Sequence, residues 1–248
     1  MKKTVFYLFL FFYLVISLSP ESYSGLIRKG DNFFKQRGDL KKAILALKNY
    51  RKASALKKDA FEALWKIART THYLVDELKS EKEQRRVIDI GIDAARKAIT
   101  ISPDKPDGYF WLGVNYAKEG QVKGILKSLF RISPIKKNMR KVIEMDDKYE
   151  GGGAYIVLGR VYSQVPGILG GSNKKAKENL LKAMRICKTN PLTYIFLAEV
   201  YHDMGKIDKA IKLLSDFEKI EVDSRWIPET EKKKREGAEI LSEYKNEL

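Results

Sequence analysis

Apolar residues recur along most of this chain at intervals of three and four residues, the spacing of one face of an α-helix. Tyr109, Leu112, Gly113 and Tyr116 show this spacing within a single helical face. No stretch of the sequence alternates convincingly between apolar and polar residues, as a half-buried strand does. The pattern therefore predicts an all-α protein.

One motif returns along the chain: a small residue within a first helix, an aromatic residue three positions later, and a second helix led by alanine. The pairs are Gly30 with Phe33, Gly113 with Tyr116, Gly159 with Tyr162, and Ala198 with Tyr201. A lone helical hairpin cannot bury its apolar face, whereas stacked copies bury one continuous core. The repeat therefore predicts an α-solenoid of four to five helical hairpins.

Turn residues mark where these hairpins begin and end. Breaks are predicted at 37–39, at 102–104 and at 204–205. In the third unit the first helix is expected to end at Gly120, and an inserted helical segment, 121–135, is expected to break at Ser133-Pro134. The three glycines at 151–153 suggest a flexible joint. The charged amphipathic tail from Glu229 predicts a C-terminal capping helix.

The first 24 residues have a different composition from the rest. Lys2 and Lys3 precede an uncharged apolar run, Val5 to Leu18, and small residues follow at Ser22 and Ser24. This order predicts a secretory signal peptide, 1–24, cleaved before Gly25, and an exported periplasmic repeat domain, 25–248. An uncleaved N-terminal anchor is the alternative, although the run is shorter than the roughly 20 residues that span a bilayer. No cysteine lies near the cleavage site, so a lipoprotein is not expected.

The formal net charge of +16 raises the question of anionic partners. The predicted export argues against nucleic acid, and the lysines are spread over helix surfaces instead of forming one stripe. Two interpretations stay open: solvated helix faces, or a preference for an acidic protein, a lipid surface or an anionic solute.

Residues that could carry chemistry are few. Cys187, the only cysteine, lies in an apolar helical stretch and is expected to be a packed thiol. His72 and His202, the only histidines, are too far apart in sequence to suggest a zinc site. The glycine-rich loop 167–174 lacks the spacing of a phosphate-binding loop, so we expect a turn with Ser172 or Asn173 capping the next helix. We therefore predict no enzymatic activity, no metal and no cofactor. The last four residues, 245–248, are also compatible with a retrieval signal of the endoplasmic reticulum.

The face Tyr109-x-x-Leu112-Gly113-x-x-Tyr116, with alanines at 176, 183 and 210, resembles the tetratricopeptide repeat (TPR), with elongated units. A narrower resemblance, over about 25–220, is to the T-component proteins of TRAP transporters. It rests on the segments 110–113, 123–127, 152–162, 166–171 and 197–201. This resemblance implies an exported helical-repeat protein that partners the substrate-binding protein of such a transporter.

In a TPR-like stack the first helices line the concave face. Counting from the small central residues places twelve side chains there: Trp65, Arg69, His72, Tyr73, Phe110, Val114, Ile156, Arg160, Ser163, Ile195, Glu199 and His202. Arginine beside apolar surface suits a carboxylate, an acidic peptide end or an amphipathic anion. The alternative is that these residues pack against neighbouring units or face water.

Together these features predict a non-enzymatic adaptor that docks the substrate-binding protein of a TRAP transporter and can shelter an anionic or amphipathic solute. The alternative is a general TPR scaffold for interactions between envelope proteins. Nucleic acid is not an expected partner, and a homo-oligomer is compatible with the sequence.

Overall fold

The computed structural model describes residues 21–124 and 129–247. The basic and apolar parts of the predicted signal peptide, and residues 125–128 of the predicted insert, lie outside the described residues. Within the described ranges the chain forms α-helices joined by turns and has no strand. The helices are α1 (Tyr23–Phe34), α2 (Leu40–Leu56), α3 (Phe61–Val75), α4 (Glu81–Ile101), α5 (Pro106–Lys123), α6 (Leu129–Met145), α7 (Tyr149–Gln164), α8 (Asn173–Ile186), α9 (Pro191–Asp203), α10 (Ile207–Lys219) and α11 (Ile227–Lys245).

Each helix packs against the next one along the chain, so that α1 to α10 form five successive hairpins and α11 follows the last of them. The prediction of an α-solenoid of helical hairpins with a C-terminal helix is confirmed. One large apolar cluster runs from Leu26 in α1 to Val165 after α7, and smaller clusters join α7 to α11.

The small central residues set the distance between the paired helices. A Cβ atom on Gly30 would lie 2.4 Å from the Tyr50 ring, and one on Gly159 would lie 2.6 Å from Leu180 Cγ. Any larger side chain at either position would displace the second helix of its hairpin. The predicted role of these residues, close approach of the paired helix, is therefore confirmed.

Two predicted helix boundaries are wrong. Helix α5 continues past Gly120 to Lys123, and α6 (Leu129–Met145) runs through Pro134 without a break. The missing N–H of Pro134 leaves the Phe130 carbonyl without its helical partner. Phe130 is exposed, so water can satisfy that carbonyl.

The three glycines at 151–153 are buried. Glu150, Gly151 and Gly152 have positive φ values, 49°, 64° and 78°, and they form a kink before the regular part of α7. A Cβ on Gly151 would lie 3.2 Å from Cys187 Cβ, and one on Gly152 would lie 3.1 Å from Ile186. This close packing holds the segment against α8.

The start of α1 is tied to the next hairpin. The Ser22 hydroxyl accepts a hydrogen bond from Gly25 N at 3.0 Å, and the Tyr23 hydroxyl accepts one from Ala63 N at 3.2 Å. The predicted cleavage before Gly25 would remove both contacts, and it stays a prediction.

Candidate functional site

A cavity of about 250 Å³ lies on the concave side of the stack, between the first helices of the hairpins and the start of α11. Its wall is mostly apolar and aromatic: Phe110, Trp111, Val114, Ile156, Val157, Leu192 and Phe196. Polar and charged side chains surround this wall: His72, Asp76, Lys118, Gln121, Arg160, Glu229 and Lys233. An apolar cavity with a few polar groups is the usual form of a ligand site.

Helix α11 closes one side of the cavity because its first turn reaches the opposite end of the stack. Arg37, in the turn of the first hairpin, donates from Nη2 to Glu229 Oε2 at 2.8 Å, and its Nε lies 2.7 Å from Glu229 Oε1. The same Nη2 donates to the Arg225 carbonyl at 2.5 Å. We call Arg37, Arg225 and Glu229 the closing contact. It places Trp226 in the cavity wall.

The closing contact is largely shielded from water. The Arg37 side chain is 6% exposed and that of Glu229 is 24% exposed. The guanidinium also stacks on the rings of Phe34 and Tyr73, at 4.6 Å from each centroid. Burial raises the pKa of Glu229 in spite of the neighbouring Arg37. The predicted polar cap is therefore more than an end cover, since it joins the last element to the first.

Aromatic rings line the path from the closing contact to the cavity. Phe34, Tyr73, His72 and Trp111 follow one another with centroids 5.6, 5.0 and 6.1 Å apart, and Phe110 lies 4.9 Å from Trp111. Edge-on and tilted contacts of this kind fix ring positions. These contacts join the residues of the apolar wall into one continuous aromatic cluster.

Three buried ring nitrogen atoms of cavity residues have no hydrogen-bond partner among the described residues. They are Nδ1 of His72, Nε1 of Trp111 and Nε1 of Trp226. Burial, helped by the positive charge of Lys118, lowers the pKa of His72 to about 3, so the ring is neutral at physiological pH. Because unpaired buried polar groups are costly, a ligand that forms a hydrogen bond with one of these three nitrogen atoms would gain affinity.

The cations at the cavity are matched by carboxylates. Lys118 Nζ lies 2.8 Å from Asp76 Oδ1, and Arg160 is paired with Glu199. Burial works to raise the pKa of Asp76, but the Lys118 ammonium outweighs it, and the net pKa is lowered. Burial raises the pKa of Glu199 in spite of Arg160. An anionic ligand would therefore compete with these carboxylates for Lys118 or Arg160.

The structure brings half of the predicted groove residues to the cavity: His72, Tyr73, Phe110, Val114, Ile156 and Arg160. Trp65 and Arg69 belong to the contact between the first two hairpins, where the Arg69 guanidinium lies 3.8 Å from the Phe34 ring centroid and 4.9 Å from that of Trp65. Glu199 reaches the cavity only through Arg160, and Ser163 donates to the Arg160 carbonyl at 3.0 Å.

The fifth unit departs from the predicted groove. Ile195 is completely buried with Tyr194 and Phe217, so its assignment to the groove is corrected. His202 lies under α11, stacked on Tyr244 at 4.1 Å, with its Nε2 2.8 Å from Glu247 Oε2. In this unit α11 covers the positions that are open in the earlier units.

Several cavity residues were not predicted from the sequence: Trp111, Lys118, Val157, Trp226, Glu229 and Lys233. Trp111 is adjacent to the predicted Phe110, and Lys118 follows the predicted Val114 by one helical turn. The sequence could have indicated that Trp226 contacts the rest of the protein, since a tryptophan in a charged segment is unusual on a solvated surface.

The described residues contain no group of three or more histidine, cysteine or acidic side chains placed to hold a metal ion. None of the helices described is long and apolar enough to cross a membrane. Cys187 is buried and unpaired, as predicted.

The model of one protein family, regulator of microtubule dynamics protein 1-3 (RMD1-3), matches residues 26–168. No curated protein matches the chain. The TPR protein TTC0263 of Thermus thermophilus is similar in structure, with 18% identity, a TM-score of 0.65, and coverage of 89% of this chain and 99% of that one.

Two other solved structures share the fold. For yeast Tom70 the identity is 17% and the TM-score 0.59, with 100% of this chain and 44% of Tom70 covered. For PilF of Pseudomonas aeruginosa the values are 15% and 0.58, with 91% and 90% covered. These similarities support the TPR-like fold.

Proposed function

The chain belongs to the RMD1-3 family, and on this premise we propose that it is a non-enzymatic TPR-like adaptor whose concave cavity holds an apolar or amphipathic group of a partner. The observation that carries the proposal is the apolar cavity, whose wall contains three ring nitrogen atoms without a hydrogen-bond partner among the described residues. The name of the family connects its members with microtubule dynamics. Only the general activity, binding another protein, is carried over to this chain.

The size of the cavity favours a short anchoring group. Its volume of about 250 Å³ is below the roughly 300–1,000 Å³ that is typical of small-molecule sites. One or two apolar side chains of a protein partner, or the tail of an amphiphile, suit this space better than a large solute does. The Trp226 nitrogen would then donate a hydrogen bond to a polar atom of the same group, and the His72 nitrogen would donate or accept one.

The finer identity of the partner rests on the sequence alone. The resemblance to T-component proteins supports a TRAP-transporter substrate-binding protein as partner and a periplasmic location as the setting. The matching family model is that of RMD1-3 and does not concern such transporters. A general scaffold for envelope proteins is the alternative partner class, and co-purification with a substrate-binding protein would distinguish the two.

The cavity can be filled without touching the closing contact. We expect Val157→Trp to abolish binding of a fluorescent anionic amphiphile, because Val157 lines the cavity and the indole would occupy it. Ile44→Trp is the matched control, since Ile44 is exposed on α2. Both variants are compared by circular dichroism to establish that they fold.

Photocrosslinking tests the protein partner. A photoreactive residue at Gln121, on the cavity rim, should crosslink to a partner in cells, whereas one at the exposed Glu178 on α8 should not. Val157→Trp should remove the Gln121 crosslink. Equal crosslinks from both positions, or a Gln121 crosslink that survives Val157→Trp, would contradict the proposal.

A further inference from the structure

An apolar tip projects into solvent from the loop between α7 and α8. The tip consists of Ile168, which is 96% exposed, and Leu169, which is 40% exposed. Phe130, at the start of α6, is also largely exposed, at 62%. Neighbouring exposed apolar side chains are typical of surfaces that contact a partner or a membrane.

The loop is built to hold this tip outward. Gly171 N donates to the Pro166 carbonyl at 3.1 Å, and Ser172 N donates to the Tyr162 carbonyl at 2.8 Å. A Cβ on Gly171 would lie 1.6 Å from the Val165 carbonyl oxygen, so only glycine fits there. Lys136, on α6, donates to the Gly170 carbonyl at 3.1 Å and ties the loop to that helix. The exposure of the tip is therefore a property of an ordered turn.

The surroundings of the tip are strongly basic. The two segments that meet there, 129–143 and 165–177, contain eight lysines and arginines and no acidic residue. Arg131 is paired with Glu119, and Lys141 with Glu144. The other six take part in no ion pair within the described ranges: Lys136, Lys137, Arg140, Lys174, Lys175 and Lys177. We call these six residues the basic patch.

The apolar tip and the basic patch form one surface. Leu169 lines a shallow depression together with Ile132, Lys136, Lys137 and Arg140. The amines of Lys136 and Lys175 both lie over the ring of Tyr162, at 4.3 and 5.7 Å from its centroid. Charges from α6 and α8 therefore flank the same projecting loop.

We propose that the apolar tip and the basic patch dock the protein on the surface of an anionic lipid bilayer. Ile168 and Leu169 insert between the headgroups, and the basic patch neutralises the lipid charge. A projecting apolar tip suits a deformable bilayer better than a folded protein, which would need a complementary pocket. Apolar insertion combined with surrounding lysines is the usual physical basis of interfacial binding.

Vesicle sedimentation tests this proposal with the full chain. Binding to vesicles that contain about one third anionic phospholipid should exceed binding to zwitterionic vesicles, and it should fall as salt is raised. Each basic residue close to an anionic surface is worth about fivefold in affinity. We therefore expect the variant K137Q/R140Q/K174Q/K175Q to bind anionic vesicles about tenfold more weakly or worse.

The apolar tip is tested by Ile168→Ser, which should also weaken vesicle binding by about tenfold. The matched control for the tip is Ile44→Ser, and for the charges it is K41Q/K48Q/R51Q/K52Q on α2, which removes the same number of exposed lysines and arginines. All these changes are on the surface, so thermal unfolding should be unaffected.

A local probe separates the tip from the apolar N-terminal segment of the chain. In Ile168→Trp the added indole should be quenched by brominated acyl chains in anionic vesicles, whereas Ile44→Trp should gain no such quenching. The proposal is overturned if Ile168→Trp is not quenched or if the controls lose as much binding as the test variants. It is also overturned if an acidic protein binds the basic patch while anionic vesicles do not.

Discussion

The closing contact gives the sharpest test of how this stack is held together. Arg37→Ala removes the guanidinium and leaves the Glu229 carboxylate, which is 24% exposed, without its partner. Removing one member of a buried ion pair typically costs about 3–5 kcal/mol. Because water still reaches Glu229, we expect a smaller loss, about 2–3 kcal/mol.

This loss of stability should first affect the start of α11. The far end of α11 stays anchored because Leu241 and Tyr244 pack with Ala198 and Leu214. Hydrogen–deuterium exchange of residues 225–233 should therefore accelerate in Arg37→Ala, by about 30-fold for 2 kcal/mol. Exchange in 238–245 should change far less.

A double-mutant cycle separates the pair from its surroundings. Arg37→Leu and Glu229→Leu should each lower the free energy of unfolding measured in urea. The double variant should be more stable than either single variant, because two apolar groups leave no buried charge. A coupling energy below about 0.5 kcal/mol, or unchanged exchange at 225–233, would refute the view that this pair closes the stack.

Three other predictions concern buried polar groups and glycines. Because the pKa of His72 is about 3 in the folded protein and 6.5 ordinarily, the unfolded chain binds the proton first as pH falls. The free energy of unfolding, measured in urea, should therefore decrease below pH 6.5, by up to about 1.4 kcal/mol per pH unit. His72→Phe should flatten this pH dependence. It keeps an aromatic ring beside the charged groups that face His72, which are Lys118, Asp76, Lys233 and Arg37. Asn115→Ala should cost about 1–3 kcal/mol in urea unfolding, because the buried Asn115 amide donates to the Ala68 carbonyl at 2.9 Å; an unchanged midpoint would show that water replaces it. Gly171→Ala should destabilise by about 1–3 kcal/mol in the same assay, whereas Gly167→Ala, with open space around its Cβ, should be neutral; equal effects would contradict the geometry.

The repeat architecture was predictable because helix pairing is local. Gly30 and Gly159 indicate close helix contacts from the sequence alone. The residues that they contact, Tyr50 and Leu180, lie in the next helix along the chain. Phe110 and Ile156, chosen by their positions in the first helices, line the cavity. Ile195, at the equivalent position of the fifth unit, does not, because Ile240 of α11 joins the cluster that covers it.

The rest of the site depends on contacts that sequence patterns do not encode. Arg37 and Glu229 are 192 residues apart, and each is an ordinary charged residue in its own segment. Pro134 suggests a helix break because proline usually ends helices, but inside α6 it removes only one helical hydrogen bond, the one to the Phe130 carbonyl. Long-range contacts and exact helix boundaries were therefore the features that escaped prediction.

The contact between the first hairpin and the last helix also bears on how such a protein can evolve. Open solenoids gain and lose repeats readily, because each unit touches only its neighbours and a terminal unit can be added or deleted. Here an inserted hairpin would carry Glu229 away from Arg37 and leave two charges stranded. The number of hairpins between Arg37 and Glu229 is therefore constrained by this contact, as the number of blades is in a ring.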